Sequence, residues 1–315
     1  MSDSLDCEKI PPLSKLKSRV RIGPAGWSYP DWKGKVYPVK KPRGFHEVAY
    51  LAGFFDTVEI NSSFYSSPRA EPARGWLRQV EHNPRFMFTA KLLHRFTHER
   101  NASVEDERGF KEGIRPIAED GRLGALLLQF PWSFKNAPEN REYLAALCRQ
   151  FGGYPLVVEV RHSSWEQPEV LEMLGEMGVG LSNIDQPVIG RSIAPGEHVT
   201  APLGYVRLHG RNYRNWFRNG KPEERYDYLY TLKELEPWAA RVKRIMDSAS
   251  TVYVIANNHF EAKGLVNALE LMAMIFETRV RAPGLLVENY PQLRDVAIEE
   301  KMTASENSLL DNPLL

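Results

Sequence analysis

Eight short runs rich in Val, Ile, Leu and Phe recur along the chain, and helical patterns separate most of them. The runs are Val20–Gly26, Thr57–Asn61, Phe86–Lys91, Gly124–Phe130, Leu156–Arg161, Val179–Asn183, Gly204–His209 and Thr251–Asn257. Helical periodicity marks Glu139–Phe151, Glu166–Met177, Leu229–Ala249 and Lys263–Glu277. A helical crossover returns the chain to the same end of a sheet, so this alternation implies parallel strands. Eight such units predict an α/β fold built as a single (β/α)8 TIM-type barrel. An open doubly wound sheet is the alternative. Neither a GxGxxG nor a P-loop sequence is present to support nucleotide binding in that form.

Composition narrows the class further. The chain has 315 residues, 43% of them hydrophobic and 26% charged, which is enough to bury one large core. A formal net charge of +1 gives no global field toward nucleic acid or membrane, although a local basic patch remains compatible with it. No apolar run reaches the roughly 18 residues of a membrane span. The N-terminal MSDSLDCEKI has no apolar signal region, so a cytoplasmic protein without a membrane partner is expected. Cys7 and Cys148 have no metal-type or redox-type partner nearby and read as reduced thiols. Polar residues 1–18 read as an N-terminal tail, 19–294 as the barrel, and the acidic stretch 295–315 as a C-terminal tail. The sequence names no protein partner.

A barrel places its chemistry at the C-terminal strand ends. Residues two apart on a strand share a face. The strand ends here carry Trp27 after the first run, Glu59 and Asn61 on the second, Lys91 on the third, and Gln129 on the fourth. The fifth carries Glu159 and Arg161, and the sixth ends near Asn183 and Asp185. The seventh carries Arg207 and His209, followed by Arg211, and the eighth ends in Asn257, Asn258 and His259. Charged side chains are rarely buried unless paired, so this ring is either a plug of ion pairs or a ligand pocket. Aromatic residues crowd the same loops: Trp27, Tyr29, Trp32, Phe64, Tyr65, Trp132, Trp165 and Trp216. They serve as packing or as a stacking wall for a sugar or base. The densest basic-aromatic segment is 205–218, YVRLHGRNYRNWFR.

Several of these segments resemble the YecE-like family, domain of unknown function 72. They are Gly23–Tyr29 with Trp32, Val58–Tyr65, Leu127–Pro131, Val158–Trp165, Val206–Asn212 and Asn257–His259. The resemblance spans roughly residues 20 to 295 and implies a TIM-barrel-like fold. It implies no reaction.

Three functions suit the strand ends. The first is an enzyme, phosphoesterase-like, acting on a small phosphorylated or nucleic-acid-derived anion. Lys91, Arg161, Arg207 and Arg211 would hold the anion, Glu59 or Glu159 would be the general base, and His209 the general acid or the base's partner. Trp27, Asn61, Gln129, Asn257, Asn258 and His259 would line the same pocket. The second is a divalent-metal hydrolase or isomerase, in which Glu159, Asp185 and His209 are similar to the ligand order of xylose-isomerase-like barrels. Asn257 departs from the carboxylate those barrels supply on strand eight, and Arg161 and Arg207 would repel a cation. The third is a module that binds nucleic acid or an oligosaccharide without turnover. A retaining glycosidase fits less well, because strands four and seven supply Gln129, Arg207 and His209 in place of carboxylates.

Overall fold

The computed structural model describes residues 19–214, 216 and 222–300. Eight strands form one parallel sheet: β1 (Val20–Pro24), β2 (Thr57–Ile60), β3 (Met87–Lys91), β4 (Leu123–Gln129), β5 (Leu156–Glu159), β6 (Gly180–Asp185), β7 (Leu203–Leu208) and β8 (Thr251–Ala256). Their order is β1-β8-β7-β6-β5-β4-β3-β2, and each paired neighbour runs parallel. The ends of that order meet at a seam between β1 and β2. There Ala25 bridges Glu59, and the Gly26 N–H donates to the Glu59 carbonyl at 2.8 Å. The sheet is therefore a nearly closed barrel, and each expected run lies on one of its strands. Gly23 makes the seam possible, because a Cβ there would stand 1.8 Å from the Thr57 carbonyl oxygen.

Helices Val104–Glu119, Pro138–Gln150, Pro168–Glu176, Leu232–Ser248 and Lys263–Phe276 cover the outside. The main core lies between helices and strands, and Trp238, Phe110 and Leu269 are fully buried in it. Ser103 starts the first of these helices with a capping box: its hydroxyl accepts the Asp106 N–H, and Asp106 accepts the Ser103 N–H. Cys148 is buried as a free thiol in the helix Pro138–Gln150, as expected, whereas Cys7 lies outside the described residues.

A second, smaller apolar cluster fills the barrel interior, with Leu127, Val157, Tyr205, Tyr253 and Ile255. It is thin, and polar side chains fill the rest of the lumen. This is the feature that builds the site.

Beyond Arg294, in the stretch expected as a C-terminal tail, the structure holds one more element. Ala297–Glu300 form a strand, β10, that pairs in parallel with β9 (Val280–Pro283). Its four residues are too few and too acidic to show a strand pattern, so only pairing with β9 reveals it. The remainder of that tail lies outside the described residues. Among the described residues no helix is long and apolar enough to cross a membrane.

Candidate functional site

Alternation stacks the lumen in layers. On β7, Tyr205, Arg207 and His209 point inward at successive heights, while Val206 and Leu208 join the outer core. On β5 the same rule brings in Val157, Glu159 and Arg161, and on β2 Glu59 and Asn61. Arg207 is fully buried at the centre. Its Nη2 donates to Glu59 Oε1 at 2.7 Å and its Nη1 to Glu159 Oε2 at 2.6 Å. Gln129 Oε1 accepts a third bond at 3.3 Å. The Tyr205 hydroxyl closes the layer from below, donating to Glu59 Oε2 at 3.1 Å.

Glu159 has a second set of partners. Arg161 Nη2 donates to its Oε1 at 2.9 Å, and His209 Nε2 lies 3.2 Å from the same oxygen. Burial raises the Glu159 carboxyl, but Arg207, His209 and Arg161 outweigh it and hold it well below the usual carboxylate range. The imidazole of His209 moves in the opposite sense. Burial pushes it down to about 3 against the pull of Glu159. Asn257 Nδ2 contacts His209 Nδ1 at 2.9 Å, which assigns the single ring proton to Nε2, facing Glu159. His209 is thus a neutral donor in a fixed tautomer.

Above this cluster opens a cleft of about 770 Å³ at the C-terminal ends of the strands. Of the expected site residues, Trp27, Asn61, Lys91, Asn257 and His259 line it. Tyr29 stacks on His259 with ring centres 4.3 Å apart and planes 7° apart. Its hydroxyl donates to the Ala25 carbonyl and accepts from Asn61 Nδ2 at 3.2 Å. Trp27 is braced edge-on by Trp76 at 5.2 Å, and Tyr65, 74% exposed, stands at the mouth. The loop that carries His259 takes up left-handed backbone at Glu261 and Ala262, with φ of 53° and 66°, a strained pair beside the cleft.

Lys91 is the one lysine or arginine among the cleft-lining residues. Its Nζ rests 4.3 Å from the centre of the Phe64 ring. Burial pushes its amine down to about 8; Arg207 adds to that, and Glu59 and Glu159 oppose it.

The rest of the expected site goes elsewhere, for two reasons. The first is pairing: Glu59, Glu159, Arg207 and His209 are fully buried in one another's contacts, and Arg161 is spent on Glu159. The Arg-lined pocket is therefore a lysine-lined, largely aromatic one. The second is strand parity. Register aligns Asp185 with the outward-facing Leu208, so Asp185 leaves the lumen. There it accepts from Arg211 at 2.7 and 2.8 Å, from the Tyr230 hydroxyl at 2.9 Å, and from Trp238 Nε1. Glu159, Asp185 and His209 are consequently not brought together. Among the described residues no three His, Cys, Asp or Glu side chains are grouped to hold a metal ion. Asn258 likewise points outward, donating to the Tyr228 carbonyl and to Asn267 Oδ1. Arg211 is held outside the cleft with Asp185. The segment 205–218 therefore divides: Arg207 and His209 enter the lumen, Arg211 leaves it, and residues 215, 217 and 218 lie outside the described residues.

Sequence reasoning missed Trp76, Tyr226, Phe260, Asp31 and Ser62. Trp76 sits on the helix Ala70–Gln79, and nothing in its local pattern separates a cleft wall from ordinary packing.

The family model for the protein of unknown function DUF72 matches residues 21–289. The chain belongs to the DUF72 family. A DUF72 family protein from Thermotoga maritima MSB8 is 34% identical, with a TM-score of 0.71 over 82% of this chain and 99% of that one. A second DUF72 structure, from Enterococcus faecalis V583, is 27% identical with a TM-score of 0.72 over 81% of this chain and 95% of that one. No curated protein matches this chain. Within this DUF72 protein the matched region ends just before β10, so that strand lies beyond the family core.

Proposed function

We propose that the protein is an enzyme acting on a small anionic substrate, phosphorylated or nucleic-acid-derived, in the cleft at the C-terminal strand ends. Lys91 is its anion contact and acid–base group. The observation that carries this reading is the position of the Lys91 amine: in the cleft, over Phe64, and above a cluster in which Arg161 and Arg207 face Glu59 and Glu159. Two charges of each sign balance there, so the Lys91 amine is the positive charge a ligand in the cleft can reach.

The carboxylates and His209 do not carry the proton chemistry in this reading. Glu159 is too strongly stabilised as a carboxylate to accept a proton, and His209 is too weak a base near neutrality. An amine near 8 is well matched to proton transfer at ordinary pH. Burial sets most of that shift, Arg207 adds to it, and the ion cluster forms the floor of the cleft. Trp27, Tyr29 and Tyr65 offer flat faces to a ring, and Asn61 and Asn257 offer amides to its hydroxyls.

Thermal-shift titration with phosphorylated sugars and nucleotides, paired with fluorescence of Trp27 and Trp76, tests this. A subset of anions should raise the melting temperature of the native protein and not that of Lys91→Met. Their affinity should fall as pH rises through about 8, as Lys91 loses its charge. Equal responses from both proteins, or none to any anion, would reject the reading.

A further inference from the structure

The Lys91 amine has no hydrogen bond or ion pair among the described residues, and it rests over the Phe64 ring. The carboxylates that would ordinarily take it are committed. Glu59 gives its oxygens to Arg207 and Tyr205, and Glu159 gives its oxygens to Arg207, Arg161 and His209. A half-buried lysine beside Arg207 and Arg161, whose nearby carboxylates are bonded to other side chains, has the setting of an activated nucleophile. Its root is rigid: β3 is paired on both sides, and the Ser63 hydroxyl donates to the Lys91 carbonyl at 2.7 Å.

A second observation points to the partner. Asn61 Oδ1 is buried and has no hydrogen-bond partner, although the same amide's nitrogen is fixed on Tyr29. A buried acceptor left open in a cleft-lining residue suits a hydroxyl on a ligand.

We infer that Lys91 forms a covalent imine with the carbonyl carbon of a hydroxyl-bearing aldehyde or ketone bound in this cleft. The inference rests on the reading of the cleft as the substrate site. The lone pair of the neutral amine attacks the carbonyl carbon, and the carbonyl π pair moves to oxygen. A proton passes from nitrogen to that oxygen, giving the carbinolamine. A proton from solvent joins the carbinolamine hydroxyl as the C–O bond breaks, water leaves with the oxygen, and the nitrogen lone pair forms the C=N bond of a protonated imine. Atoms and charge balance as neutral amine plus carbonyl plus one proton to protonated imine plus water, with no oxidant or reductant. Roughly a tenth of the amine is in the attacking form at pH 7.

The test incubates the protein with glyceraldehyde 3-phosphate and sodium cyanoborohydride, which reduces the imine to a stable secondary amine. Intact mass and peptide mapping then locate it. One adduct should form at Lys91 at least tenfold faster than at any other lysine, and Lys91→Met should lose it. In the native protein the labelling rate should rise with a midpoint near 8, well below the roughly 10.4 of an exposed lysine, which reads the same property even if the variant fails to fold. Labelling spread over many lysines, or unchanged in the variant, overturns the imine. Glycerol 3-phosphate, the same anion without a carbonyl, separates the two readings in that event. If it binds the native protein and not the variant, the cleft stands without the imine; if it does not bind, both fall.

Discussion

Glu159→Gln removes one negative charge from the centre of the barrel without changing its volume. In the native protein that carboxylate is fully buried and accepts from Arg207 at 2.6 Å and Arg161 at 2.9 Å, with His209 at 3.2 Å. The amide that replaces it keeps one acceptor oxygen and turns two donors toward donors. Arg207 is left with Glu59 alone, and Arg161 with no anion. Breaking a buried ion pair by removing one partner costs about 3–5 kcal/mol. A domain of this size unfolds with roughly 0.6 kcal/mol per kelvin of entropy, so the melting temperature should fall by about 5–8 °C. Differential scanning calorimetry at pH 7 reads this directly. Glu277→Gln is the control: that side chain is 65% exposed in its pair with Lys243 and should shift the transition by under about 2 °C. If Glu159→Gln also moved it by under about 2 °C, the buried cluster would not be holding the barrel together. Glu159 is one of the carboxylates that sustain the charge on Lys91, so the same variant should drive that amine lower still.

Three further outcomes are expected. His209 is depressed to about 3 in the fold from an ordinary value near 6.5, so the unfolded chain takes up its proton first. Its contribution is complete above pH 6.5 and is lost as pH falls toward 3; the native protein should lose stability over that window more steeply than His209→Gln, by up to about 1.4 kcal/mol per pH unit in urea titrations. Burial raises the Glu270 carboxyl to about 7, and its one resolved bond is from Asn267 Nδ2. That sign is the reverse: its contribution is present below about 4.5 and is lost as pH rises through 7, so Glu270→Gln should stabilise by about 1–3 kcal/mol at pH 8 and by much less at pH 5. Gly23→Ala should abolish soluble expression or lower the melting temperature by more than 8 °C, since its Cβ would stand 1.8 Å from the Thr57 carbonyl oxygen at the β1–β2 seam; near-native melting would contradict the closed seam.

The sequence alone determined the barrel. Each of its eight strands is a short β-rich run whose pattern is local, and a parallel crossover leaves little choice of topology once the runs are counted. It also determined which polar side chains stand near the strand ends, because alternation is a property of each strand by itself. Asn61, Lys91, Asn257 and His259 were legible in that way, and so was a ring of strand-end charges that could pair as a plug, although not which charge pairs with which. Only the tertiary structure decided what each of them faces. Asp185 and Asn258 lie one residue from an inward position, and inter-strand register, not sequence, sends them to the outer core. Arg207 and Lys91 are both cations on strand ends, yet Arg207 lies one layer lower and consumes both carboxylates, which leaves the Lys91 amine open to the cleft. Trp76 reaches the site from a helix, and β10 exists through its pairing with β9. The physical reason is common to all of these: a side chain's charge and size are written in the sequence, but its pKa, its partner and its exposure belong to the distances that folding sets.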